Sequence, residues 1–269
     1  MAPSDRLGAW DSLAIWTGSI IQKPDSARYC LFYTSRDRRA PLIWTPKELQ
    51  RSQHIGLATS TDLYTWQRWG EQPILPNPGR GRFDGVAWRD PYLMLGADAR
   101  FYAFICTRLA NGTADAGGAI AYLSSDQLET WTGEPQILLA SQEFYQLEVP
   151  QVFWRVSGST KRLYLLFSAR LADCAAARYQ SQPPSQCLTG TYYCVSEPVP
   201  LANTALPPLP EPARLLAANR YAGKLLAPET TAEPLFFGFY WGNATGEFAN
   251  GLAEPQRCQF GDDGRLQWV

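Results

Sequence analysis

Arg100-Phe101-Tyr102-Ala103-Phe104-Ile105-Cys106-Thr107-Arg108 is an aromatic-rich run with an arginine at each end. The same form occurs as Arg28-Tyr29-Cys30-Leu31-Phe32-Tyr33-Thr34-Ser35-Arg36 and as Arg162-Leu163-Tyr164-Leu165-Leu166-Phe167-Ser168-Ala169-Arg170. A looser copy is Pro234-Leu235-Phe236-Phe237-Gly238-Phe239-Tyr240-Trp241. Aromatic and β-branched runs of this length, bounded by turn residues, read as strands. A unit that recurs along a chain decides the architecture before any single element does.

Each run follows another strand candidate: Leu13–Ile21, Val86–Leu95, Leu147–Trp154 and Tyr221–Leu226. A third element follows in three units, Ile55–Asp62 leading to Trp66, Ile120–Asp126 leading to Trp131, and Gly190–Glu197. The expected units cover about 13–70, 84–135, 146–200 and 214–269 of one domain, residues 1–269. Repeats of roughly 60–70 residues with three or four short strands read as propeller blades, so the fold expected is an all-β propeller. Loops with clustered Pro, and Gly in the first, run over Gln72–Gly81, Ala172–Gln186 and Pro198–Pro212. The best helical candidate, Pro46–Gln50 behind Thr45, is long enough for a turn or two.

Composition agrees with short strands and tight turns: 10 Trp, 13 Tyr, 12 Phe, 21 Gly and 21 Pro in 269 residues. A net charge of -1 gives no electrostatic case for nucleic acid or anionic lipid as partner. No run has the length of a membrane-spanning helix, and Met1–Arg6 lacks a secretion-signal pattern, so the chain as given reads as cytoplasmic. On that ground the glycosylation patterns at Asn111-Gly112-Thr113 and Asn243-Ala244-Thr245 are discounted. Cys30, Cys106 and Cys194 read as buried thiols, and Cys174 and Cys187 bracket a loop across which pairing stays open. With no CxxC and a single histidine, His54, neither a metal centre nor a serine triad has material to build on, and no cofactor is expected.

Two carboxylates stand out. Asp90 follows Arg89 and precedes Pro91 within Phe83–Leu95, where Pro suits a strand start or a bulge. Glu148 lies between Leu147 and Val149, with Pro150 after it, an apolar setting of the kind that suits a general acid. If the first strand of each unit is innermost, these two residues sit on neighbouring inner strands and face a shared mouth. Paired carboxylates there suit glycoside cleavage, one protonating the leaving oxygen and the other attacking or activating water. The plainer alternatives are a structural Arg89–Asp90 pair and a strand-edge Glu148 paired with a basic neighbour.

Trp16-Thr17-Gly18-Ser19, Trp88-Arg89-Asp90-Pro91 and Leu147-Glu148-Val149-Pro150 resemble, in order, motifs of glycoside hydrolase family 32, the invertase and fructan-hydrolase family. That family is related to the levansucrases and arabinanases, and the resemblance continues through Tyr221-Ala222-Gly223-Lys224 to Leu252-Ala253-Glu254-Pro255. It implies a five-bladed propeller, four units of which are recognisable here, and a retaining mechanism on β-fructosides such as sucrose or fructans. By it Asp90 stabilises the transition state, Glu148 is the acid/base, and Trp16, Thr17, Ser19 and Arg89 lie near the sugar. Val149 stands where the family usually has Cys. The family nucleophile is an aspartate on a blade before the Trp-Thr-Gly-Ser one, and that blade is expected to be missing. Asp11 is the candidate that remains, because Trp10-Asp11-Ser12 resembles the levansucrase nucleophile motif. The internal repeat instead aligns Asp11 with Asp84 and puts Gly18 in the place of Asp90. The family's frequent C-terminal β-sandwich is also not recognisable. Two other readings stay open, a non-catalytic carbohydrate-binding propeller and an arabinanase-like glycosidase. Oligomeric state is not legible.

Overall fold

The computed structural model describes residues 1–6, 9–24, 26–36, 53–242 and 251–269. The turn expected at Pro46–Gln50 and the Asn243-Ala244-Thr245 pattern lie outside the described residues. Two compact units divide the chain, residues 1–112 with 119–137, and residues 113–118 with 138–269.

The first unit opens with a sheet in the order β1 (Ala14–Gln22), β2 (Tyr29–Arg36), β3 (Gln53–Ser60), β4 (Gln67–Arg68). A second sheet follows in the order β5 (Phe83–Leu95), β6 (Phe101–Leu109), β7 (Gly118–Ser125), β8 (Gln136–Ala140). The nine-residue runs are the second strands of their sheets. Phe32, Leu57, Trp88, Ile105 and Ala121 meet in one buried cluster. Residues 103–107 of β6 are all buried, so both side-chain faces of that strand are covered. A strand covered on both faces must be apolar at odd and even positions, which is why the run does not alternate.

In the second unit β9 (Glu148–Ser157) pairs with β10 (Thr160–Ala169), which pairs with β11 (Gly190–Val195) and β12 (Val199–Pro200). β13 (Arg214–Ala218) pairs with β11 and completes that sheet. The last sheet runs β14 (Arg220–Leu225), β15 (Leu235–Tyr240), β16 (Gln256–Phe260), β17 (Leu266–Trp268). Arg214–Ala218 therefore belongs to the third sheet, and the fourth begins at Arg220 rather than at 214. Among the described residues no helix is long and apolar enough to cross a membrane.

The Ala172–Gln186 loop is ordered by one side chain. A six-residue helix, α1 (Ala176–Ser181), carries Arg178, which is fully buried between the rings of Phe144 (4.7 Å) and Tyr192 (4.8 Å). Its Nη1 donates to Glu143 Oε2 at 2.9 Å. Cys174 and Cys187 are both buried and unbridged.

Candidate functional site

The first strands of all four sheets share one irregularity. Each sets two residues opposite one on its neighbour: Trp16–Thr17 in β1, Asp90–Pro91 in β5, Val149–Pro150 in β9 and Ala222–Gly223 in β14. Both prolines thus sit in bulges, where no ladder hydrogen bond is lost. Three of the first bulge residues have left-handed backbone, Asp90 (φ 55°), Val149 (φ 51°) and Ala222 (φ 52°). For a β-branched residue such as Val149 that conformation is a genuine outlier, with a cost of about 1–3 kcal/mol. The bulge register also corrects the repeat alignment, since Trp16–Thr17, not Gly18, occupies the slot of Asp90.

In the first unit the bulge delivers Asp90 to a hydroxyl cage. Its N–H donates to Thr34 Oγ1 at 2.8 Å, and its Oδ1 accepts from the Thr17 hydroxyl. Asp90 Oδ2 lies 3.6 Å from Arg89 Nε, and both residues are buried. Arg89 Nη1 in turn donates to Gln53 Oε1 at 3.4 Å, and the same oxygen accepts the Trp88 N–H at 3.0 Å. Ser19 Oγ accepts the N–H of Leu93 at 3.1 Å. Trp16 is exposed beneath the Arg36 guanidinium, 4.8 Å from its ring centroid. The structural Arg–Asp pair is therefore present, and so are Thr17, Ser19 and Trp16 on the strand beside it.

Gly18 has a steric reason. A Cβ there would overlap the carbonyl oxygen of Phe32 on β2. Because the obstacle is backbone, Gly18→Ala should cost about 1–3 kcal/mol, read as a lower urea midpoint. An unchanged midpoint would mean that β1 has room to move away from β2.

Asp11 lies elsewhere in the same unit. Trp10 folds back onto the Tyr33 ring (centroids 5.9 Å apart) and donates from Nε1 to Glu71 O at 3.0 Å. That path takes Asp11 to Arg68 on β4, where Oδ2 accepts from Nε at 2.5 Å. The Asp11 carboxylate is buried in this ion pair. His54 Nδ1 accepts the Asn77 N–H at 3.2 Å, which gives the single histidine a structural contact.

In the second unit Glu148, half-buried at the head of β9, accepts a hydrogen bond from the Tyr221 hydroxyl on β14. Burial first, and the Glu148 charge second, push the Tyr221 phenol far above its ordinary range, so it stays a neutral donor. The Asp173 ion pair, with Nε–Oδ2 at 2.8 Å and Nη2–Oδ1 at 2.9 Å, holds the Arg170 guanidinium firmly protonated, and Glu148 adds to its field. Lys224 Nζ donates to the carbonyls of Val149 (2.9 Å) and Pro150 (2.7 Å), so the strained bulge presents acceptors to a cation. The Ala222 N–H donates to Ser168 Oγ at 2.9 Å.

Tyr221, Arg170, Asp173, Thr34, Ser168 and Gln53 were not singled out as site residues by the sequence reading. One signal was available. Thr34 and Ser168 hold the same position in their nine-residue runs, and each receives the N–H of a left-handed bulge residue. A hydroxyl recurring in an otherwise apolar run marks a polar obligation at that point.

Residues 3–205 match the family described as Glycosyl hydrolases family 32 N-terminal domain. A search of curated proteins finds no match. Among solved structures, sucrose-6-phosphate hydrolase from Lactobacillus gasseri is similar at TM-score 0.68 and 17% identity, over 97% of this chain and 49% of that chain. Fructan 1-exohydrolase IIa from Cichorium intybus gives 0.66 and 14%, over 98% of this chain and 48% of that one. Exo-1,5-alpha-L-arabinanase from a bovine ruminal metagenomic library gives 0.55 and 14%, over 95% and 77%. The chain spans about half the length of the first two. The likeness shows the fold, a β-propeller whose blades are the four sheets. With the family matched over residues 3–205 and its three motifs on the bulged first strands of successive blades, the chain belongs to glycosyl hydrolases family 32, through the N-terminal domain of that family.

Proposed function

We propose that this domain acts on β-fructosides, sucrose or fructans, as a glycoside hydrolase. Asp90 grips sugar hydroxyls and stabilises the oxocarbenium-like transition state, and Glu148 is the acid/base. The observation that carries this reading is the family match over residues 3–205, which contains all three motifs. Support comes from the two bulges, each of which places a carboxylate beside a hydroxyl donor, Thr17 for Asp90 and Tyr221 for Glu148. A glycosidase whose relatives include fructan and arabinan enzymes needs such fixed carboxylates more than any cofactor.

A second reading, a carbohydrate-binding propeller without turnover, is favoured by one specific observation. Asp11, the nucleophile candidate in this chain, is spent in the ion pair with Arg68. A retaining mechanism needs a nucleophile about 5–5.5 Å from the acid/base carboxyl. Incubation of the intact chain with sucrose, inulin and an aryl β-fructoside separates the readings. Fructose release that Glu148→Gln reduces is the expected result for hydrolysis, and loss of that release in Asp11→Asn would make Asp11 the attacking carboxylate despite its ion pair with Arg68. Sugar binding that Asp90→Ala weakens, with no release of fructose from any of the three, would replace hydrolysis with the binding module.

A further inference from the structure

A groove of about 790 Å³ opens in the second unit, walled by the end of β11, the segment 210–216 and β17. Neither Glu148 nor Tyr221 lines it. Its size falls within the roughly 300–1,000 Å³ of ordinary ligand sites.

The lining says what chemistry it would take. Arg162, Arg214 and Arg265 are matched in number by Glu197, Glu211 and Asp263, so the wall carries no net charge. Much of that charge is neutralised locally. Arg265 Nε lies 3.0 Å from Asp263 Oδ2, and Arg162 Nη1 lies 4.0 Å from Glu197 Oε2 while donating to Ser196 O at 2.9 Å. A guanidinium has five N–H donors, and these pairs use only some of them. The wall therefore presents donors and acceptors without favouring either sign of ligand. Trp268 adds an aromatic surface, 40% exposed and held edge-to-face on Phe236 at 5.4 Å between centroids. A rigid indole with an apolar body beside polar groups suits a ligand with C–H faces and hydroxyl edges.

We propose that this groove is a second carbohydrate-binding site, one that takes a short segment of a neutral oligosaccharide away from Asp90 and Glu148. The ligand class rests on the lining alone. The choice of a fructan as probe rests on the function proposed above.

The test is a titration of the intact chain with an inulin-type fructo-oligosaccharide, followed by calorimetry and indole fluorescence. Wild type should show two sites. Arg265→Ala, at an exposed side chain that leaves packing intact, and Trp268→Ala should each weaken one site at least tenfold. Asp90→Ala should weaken the other and leave in place the site that Arg265→Ala and Trp268→Ala affect. Loss of all binding in Asp90→Ala, with no effect of Arg265→Ala or Trp268→Ala, overturns the groove and keeps the fructoside site. The converse pattern keeps the groove and overturns the fructoside reading at Asp90. No sugar binding by wild type overturns the groove as well.

Discussion

Glu148→Gln should lower fructose release from sucrose by about 10²–10⁴-fold, the usual worth of a positioned general acid–base group. The substitution keeps the size of the side chain, and the Gln carbonyl oxygen still accepts from the Tyr221 hydroxyl that meets Glu148 in the structure. What disappears is the proton for the leaving oxygen and the base for the incoming water. An aryl fructoside, whose leaving group departs with less protonation, should lose less in its first step than sucrose does. Tyr221→Phe leaves the carboxylate but frees it to rotate, and a loss of about tenfold in kcat, or about 1.4 kcal/mol, is expected with KM little changed. Equal losses on sucrose and the aryl substrate in Glu148→Gln would assign Glu148 to binding rather than proton transfer. Thermal midpoints of both variants measured alongside separate lost chemistry from lost folding.

Arg178→Met should destabilise the protein by about 3–5 kcal/mol, the cost of leaving a buried charge without its partner. The Arg178 guanidinium, fully buried, donates to Glu143 Oε2 at 2.9 Å and to the carbonyls of Gln186 (3.1 and 2.7 Å) and Ala213 (3.1 Å). Methionine keeps the apolar stem between Phe144 and Tyr192 but satisfies none of these acceptors. Burial already pushes the Glu143 carboxyl up, against the pull of the Ala213 amide and the Arg178 guanidinium. A carboxyl whose folded pKa is raised favours the folded state at low pH and loses that contribution as pH rises through the folded value. Without Arg178 the shift grows, so the penalty should be larger at pH 8 than at pH 5. Urea unfolding at the two pH values measures it. A penalty under about 1 kcal/mol, or one independent of pH, would show that the loop is held by ring packing rather than by the ion pair.

The nine-residue runs were legible because strand character is local. Aromatic and β-branched side chains restrict the backbone wherever they sit, and sandwiching shows as apolar residues at both parities. Pro91 was legible for a similar reason, since a residue without an N–H belongs at a bulge or edge. Arg214–Ala218 closes the third sheet, although the repeat places it in the fourth unit. Its apolar residues suit either neighbouring sheet, and only the pairing with β11 settles the matter. Arg178 gave no signal at all, because a lone arginine among Ala, Gln, Ser and Pro residues has the composition of a solvated linker.

The amino-acid sequence by itself determined the four strand-rich repeats, the family motifs at Trp16–Ser19, Trp88–Pro91 and Leu147–Pro150, and the candidacy of Asp90 and Glu148. Each rests on residues adjacent in the chain. Tertiary structure alone decided what each carboxylate touches: Thr17 for Asp90, Tyr221 for Glu148 and Arg68 for Asp11. Those partners lie 73, 73 and 57 residues away along the chain. No local preference reaches that far. Only the register of the strands, with the left-handed bulges at Asp90 and Val149, brings the Asp90 and Glu148 carboxylates within hydrogen-bonding distance of these partners.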